Sequence, residues 1–215
     1  MQRASSVSSS LKPFLALQIT GPVEEDDFVA DALAHVRRLR PVQVFLLGDE
    51  PLVRRREIGL LLPEFERLGI EVRLVTPALL PIPQEFRMWD NLQIVVRVDG
   101  FRPEHDGRRL PPSYYRVLKN IAGHTVTVHC TIGPPQRLLE FTRFWSSREE
   151  VCGICYSLSA DATAEISEEL AAIRRHYPKV YLTDERGLAT VPLGDAPLCN
   201  VVDADMPSLG ICIGT

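Results

Sequence analysis

Six times along the chain, a short β-rich run is followed by a longer stretch whose apolar residues recur at helical spacing. The runs are LALQIT (15–20), VQVFLL (42–47), IEVRLVT (70–76), LQIVVRV (92–98), TVTVHCTI (125–132) and VCGICYSL (151–158). Helical stretches follow at Pro22–Arg40, Arg54–Leu68, Glu85–Trp89, Tyr114–Ile121, Gln136–Ser147 and Ala164–His176. In the first, Phe28, Val29, Ala32, Leu33, Val36 and Leu39 form one apolar stripe, and Gly69 and Gly123 close two of the others. Alternation of this regularity predicts an α/β fold, a parallel sheet whose strands are joined by helical crossovers.

The strands carry a second pattern. A parallel sheet covered by helices on both faces has near-continuous apolar strands, because both faces are dry. Here polar and apolar residues alternate. Gln93 and Arg97 share one face of their strand, with Ile94, Val96 and Val98 on the other. Thr125, Thr127, His129 and Thr131 oppose Val126, Val128, Cys130 and Ile132, and Gly153, Cys155 and Ser157 oppose Cys152, Ile154, Tyr156 and Leu158. Successive side chains point to opposite faces, so helices receive the apolar face and the polar one lines something else. We expect a (βα)6 partial TIM barrel, a curved sheet with outer helices. Six strands are too few to close the usual eight-stranded barrel, which leaves an open lumen. Gln43, Gln93, Arg97, Thr127, His129, Thr131 and Ser157 are expected on its concave face, with Val44, Val96, Val128 and Leu158 against the helices.

The 215 residues suit one such domain with extensions. Residues 1–10 are Ser-rich and read as a disordered segment, residues 11–177 as the barrel, and residues 178–215 as an irregular C-terminal extension in which only VYLT (180–183) looks like a strand. With 24 Lys and Arg against 28 Asp and Glu, the net charge is −4, which argues against a nucleic-acid partner. No apolar run approaches the roughly 18 residues of a membrane span. The opening MQRASSVSSS lacks the apolar centre of a secretory signal, which predicts a cytoplasmic protein. Five scattered cysteines do not form a disulfide framework.

Sites in such sheets gather at the carboxyl ends of the strands. The second strand ends in Gly48-Asp49-Glu50-Pro51, and the fourth in Arg97-Val98-Asp99-Gly100, followed by His105-Asp106 and Arg109. In these motifs and their strand placement, residues 11–177 resemble the radical S-adenosylmethionine (SAM) superfamily. The resemblance implies a six-fold partial barrel, a four-iron, four-sulfur cluster and SAM as cofactors. It also implies a SAM cleft bounded by Gly48, Asp49, Glu50, Pro51, Arg97 and Asp99, because the family's Gly-Gly-Glu-Pro segment approaches the methionyl amino group.

The chain departs from that pattern where the chemistry resides. The family holds its cluster with Cys-x3-Cys-x2-Cys after the first strand, whereas no cysteine lies between Met1 and Ile121 here. Carboxylates in the Gly21–Asp27 loop are poor substitutes for thiolates. Asp49 stands where the family has its second Gly, and Arg97 where it often has Ser. We therefore expect a pseudoenzyme that has lost its cluster, with no catalytic residue, no metal ligand and no cofactor of its own. Its former cofactor cleft would serve a small ligand or a protein partner. Asp49 and Arg97 are expected to pair, directly or through one water, and fill that cleft, and Glu50 is the foremost ligand contact. The alternative is an active radical SAM enzyme whose cluster site is atypical or supplied by a partner. Another enzyme, reusing the cleft through Glu50, His105 or His129, lacks an assembled triad or metal box.

Lesser candidates have simpler readings. Cys152 and Cys155 have metal-like spacing, but on a strand they point apart, as do His129 and Cys130. Cys199 and Cys212 are too few for an auxiliary cluster. His105 and Asp106 are expected to order a loop, and Arg54–Arg56 to form a solvated helix face.

Overall fold

The computed structural model describes residues 14–19, 27–109, 111–132, 137–158, 164–183, 202–203 and 209–214. The Ser-rich segment 1–10, the loop residues Gly21–Asp26 and Cys199 lie outside these residues. In chain order the elements are β1 (Phe14–Ile19), α1 (Phe28–Leu39), β2 (Gln43–Gly48), α2 (Arg55–Arg67), β3 (Glu71–Thr76) and β4 (Leu92–Arg97). They continue with α3 (Arg102–Arg108), α4 (Ser113–Asn120), β5 (Val126–Ile132), α5 (Leu138–Ser146), β6 (Val151–Leu158) and α6 (Ala164–His176). The short strands β7 (Val180–Thr183), β8 (Val202–Asp203) and β9 (Leu209–Gly214) complete the order. Two 3-10 turns, Pro51–Arg54 and Gln84–Met88, precede α2 and β4.

One sheet runs through the molecule in the order β7-β6-β5-β4-β3-β2-β1-β9-β8 and does not close on itself. From β1 to β7 every neighbouring pair is parallel, and spatial order equals chain order. Right-handed crossovers that always step to the next strand in one direction return over the same face, which places the helices on one side. The core agrees. Val44, Leu46, Val72, Leu74, Ile94, Val96, Val126, Val128 and Ile154 are buried in one cluster with Phe28, Ile58, Leu62, Val117, Phe141, Trp145 and Leu170 from the helices. No described helix is long and apolar enough to cross a membrane.

Local chemistry sets the helix limits. Asp27 caps α1 by accepting the Ala30 N–H at 3.2 Å, and Arg40, in a left-handed conformation (φ 47°), closes it with an N–H to the Val36 carbonyl at 2.8 Å. The described helix begins at Phe28, and residues 20–26, where the expected helix from Pro22 would start, lie outside the described set. α3 was not expected, because Arg102–Arg108 is nearly all polar and shows no apolar stripe.

The tail corrects a second expectation. It is not irregular throughout: β9 pairs antiparallel with β1, from Phe14–Gly214 to Ile19–Leu209, and β8 pairs with β9. This covers the first edge of the parallel sheet, which would otherwise present unpaired N–H and C=O groups. Glycines at 210 and 214 masked the strand pattern.

Candidate functional site

The carboxyl ends of β2 and β3 are organised around one carboxylate. Gly48 ends β2 at φ +156°, and a side chain there would press against the Ile19 carbonyl of β1. Two residues on, Glu50 Oε1 accepts the Leu52 N–H at 3.2 Å and the Thr76 hydroxyl at 2.6 Å. Its Oε2 accepts the N–H groups of Leu79 at 2.7 Å and Leu80 at 3.2 Å. A carboxylate has about four acceptor positions, so the chain's own donors occupy Glu50 fully. Within the turn it holds, Ala78 sits at φ 52°, donates to Thr76 Oγ1 at 2.9 Å and accepts from Asn120 Nδ2 at 2.8 Å. The geometry gives Glu50 a scaffold role, fastening the β3 end to β2. Pro51 is buried in the turn that follows.

Arg97, at the end of β4, reaches over β3. Its Nη2 donates to the Gly48 carbonyl oxygen at 2.9 Å. Asp49 is exposed and forms no ion pair with Arg97, contrary to the expected direct pairing. The ladder explains the choice: β2–β3 pairing stops at Leu46–Leu74, so the Gly48 carbonyl lies beyond it and accepts the guanidinium, while Asp49 stays hydrated. Burial pushes the Arg97 pKa down, and the nearby Arg109 guanidinium adds to this against the pull of Asp99, Asp49 and Glu50.

Asp99 binds Arg109 Nε through Oδ2 at 2.5 Å, and its N–H donates to His105 Nδ1 at 3.1 Å. His105 is fully buried, and burial holds its pKa below the usual histidine value. Accepting at Nδ1 assigns the proton of the neutral ring to Nε2. Asp106 accepts the Ser113 hydroxyl and the Tyr114 N–H, both at 2.9 Å, and pairs with Arg102 at 3.6 Å. The Tyr114 N–H is the main reason its carboxyl stays below the ordinary range. Both residues order the path from β4 into α4.

The polar face of the sheet is assembled as the alternation predicts. Register aligns Phe45 with Arg73 and Gln93, Val95 with Thr127 and Gly153, Arg97 with His129 and Cys155, and Thr131 with Ser157. Gln43, Arg73, Thr127, His129, Cys155 and Ser157 on this face are buried, although they stand apart from the helix-side core. His129 Nε2 lies 3.0 Å from Ser157 Oγ, which is 3.2 Å from Thr131 Oγ1. Gln93 Nε2 donates to Thr127 Oγ1 at 3.3 Å. Leu158 aligns with Ile132, in the row expected for the helix side.

One member of this face, Arg73, has no place in the sequence expectations, and neither has the alignment of Cys155 with His129. The signal for Arg73 was present, a cation between Val72 and Leu74 at the polar phase of β3. The Cys155–His129 alignment depends on a register shift at Val126/Thr127, which no local pattern announces. That bulge leaves Cys152 exposed, with its Sγ donating to the Val126 carbonyl at 3.3 Å. The solvated Arg54–Arg56 face also needs correction. Arg55 and Arg56 are exposed, but Arg54 is buried, its guanidinium 5.1 Å over the Phe28 ring.

Chemically, this face offers a buried cation, an imidazole, hydroxyls and amides suited to holding a polar ligand. Among the described residues, no three His, Cys, Asp or Glu side chains converge as a metal site. Compared with known proteins, the chain matches no protein-family model and no curated protein.

Proposed function

We propose that this chain is a radical-SAM-like partial barrel without a cluster site, a cytosolic binding or accessory protein that uses the former cofactor cleft. Parallel strands in unbroken chain order, with helices on one face and a sheet that stays open, support the partial barrel. The observation that carries the reading is the Arg97–Gly48 hydrogen bond. In the resembled family this strand end approaches an amino group of SAM, whereas here a guanidinium of the chain occupies its carbonyl. Glu50, the other retained acceptor, is spent on Leu52, Thr76, Leu79 and Leu80.

The residues present do not fit the family's cofactors. With no cysteine before Cys130, the β1–α1 loop has no thiolate to hold iron, and an Arg stands in the SAM cleft. A cluster carries the hard chemistry of such enzymes, so a chain without its ligands is read as a pseudoenzyme. Anaerobic reconstitution with iron and sulfide, followed by metal analysis and absorption spectroscopy, tests this. We expect no stoichiometric cluster and no SAM binding by calorimetry. About four irons and four sulfides per chain would instead establish the active-enzyme alternative with an atypical site.

A further inference from the structure

We infer that Arg73 anchors an anion-binding subsite on the polar sheet face, for a small molecule that carries a carboxylate or phosphate group. The inference rests on the cleft-binding reading above and names the ligand chemistry of that cleft.

Arg73 is only 7% exposed, yet it forms no hydrogen bond or ion pair with any described residue. Its guanidinium carbon lies 5.5 Å from the centroid of the Phe45 ring. A guanidinium has five N–H donors, and those of Arg73 are not among the buried atoms that lack a partner, so they keep an exposed edge open to a ligand. The nearest acid along its strand, Glu71, is exposed and instead accepts from Gln43 Nε2 at 3.4 Å. Burial pushes the Arg73 pKa down, opposed by Glu71 and by Cys155 on β6.

The surroundings are built for a polar guest. Gln93 is the register partner of Arg73, and Thr127, His129 and Ser157 continue the face. Arg97 lies on the same face, and its Nε is buried without a partner. A planar fork with free donors matches the two oxygens of a carboxylate or phosphate, and an aromatic floor holds that fork in place.

The test is calorimetric titration of the full chain with inorganic phosphate and, separately, with succinate, in chloride-free buffer. We expect one site per chain, and the anion that binds identifies the ligand group. Arg73→Met should weaken binding by at least about tenfold, with Arg73→Lys in between. In anion-free buffer Arg73→Met should melt no lower than the parent, because the guanidinium makes no hydrogen bond or ion pair with a described residue that the substitution would remove. In unsubstituted protein the Arg73 Nε–H NMR signal should move with the bound anion, a readout that needs no variant. Failure of both anions to bind, or equal binding by Arg73→Met with an unmoved Arg73 signal, overturns the inference. Loss of binding in Arg97→Ser but not in Arg73→Met also overturns it, while leaving a binding cleft at the mouth. Cluster loading on reconstitution would overturn the proposed function instead, and the anion titration of the cluster-free chain would still report on Arg73.

Discussion

Arg97 on β4 and the Gly48 carbonyl at the end of β2 are joined by a 2.9 Å hydrogen bond, although the whole of β3 runs between their strands. Two strand spacings amount to roughly 10 Å, so a long side chain is needed to make the link. Its charged donor makes it stronger than a neutral hydrogen bond, and its position ties together strand ends that no ladder joins. Glu50 makes the neighbouring connection, from β2 to the turn after β3. The mouth of the sheet is thus laced by its own polar groups.

Replacing Arg97 should therefore reveal its acceptor. Arg97→Met removes one charge-assisted bond but also a partly buried charge, so we expect destabilisation of only about 1 kcal/mol. Asp49→Asn, at an exposed carboxylate, should cost less than about 0.5 kcal/mol. Urea denaturation of both single variants and the double variant should show almost no coupling. A coupling above roughly 1 kcal/mol would establish the direct Asp49–Arg97 pair that the geometry lacks.

Glu50 is expected to be the more sensitive position. In Glu50→Gln one oxygen becomes an NH2 group facing donors, either the Leu79 and Leu80 N–H groups or Leu52 N–H and the Thr76 hydroxyl. A buried donor set against donors costs about 1–3 kcal/mol, and the strained turn at Ala78 loses its anchor. Equilibrium unfolding should show a lower midpoint with an unchanged slope. A Glu50→Gln protein as stable as the parent would mean that these bonds contribute nothing net.

The layered fold was legible because two periods coexist in the chain. Val44, Val96 and Val128 on one phase and Gln43, Gln93 and His129 on the other mark the two faces of the sheet before any packing is known. The strand-end motifs likewise located the mouth. Their contacts were not legible, since partner choice there depends on where a ladder stops. Gly48 lies just past Leu46–Leu74, and that single fact redirects Arg97 from a carboxylate to a carbonyl. β9 escaped for a different reason. Its sequence is weak as a strand, and its stability comes from a partner, β1, that is distant in the chain.

Acid should loosen the fold before the carboxylates titrate. His105 and His124 are buried, and burial is the leading cause that lowers both pKa values from the ordinary 6.5. The unfolded chain then binds more protons below that value, so their contribution is complete above pH 6.5 and declines as pH falls through the folded pKa. Asp106, whose pKa lies below 3.8, acts in the same direction only in stronger acid. The unfolding free energy from urea titrations should drop between pH 7 and pH 5, by up to about 1.4 kcal/mol per histidine and pH unit. His105→Gln, which keeps an acceptor for the Asp99 N–H, should flatten part of that slope. An equally steep profile in the variant would show that His105 is not a source of it.

The cysteines should separate by environment. Cys152 is exposed at the β-bulge, whereas Cys130 is buried on the helix side and burial pushes its thiol up to about 12. Only the thiolate reacts with alkylating reagents at a useful rate, and access is required as well. Brief iodoacetamide treatment of folded protein at pH 8, followed by peptide mass analysis, should label Cys152 and leave Cys130 untouched. Cys130 should become reactive only with global unfolding, so its labelling rate in low urea should follow the equilibrium population of the open state. Rapid labelling of Cys130 without denaturant would show that α3 to α5 do not pack against β5 as tightly as the core cluster of Val128, Ile132, Phe141 and Trp145 requires.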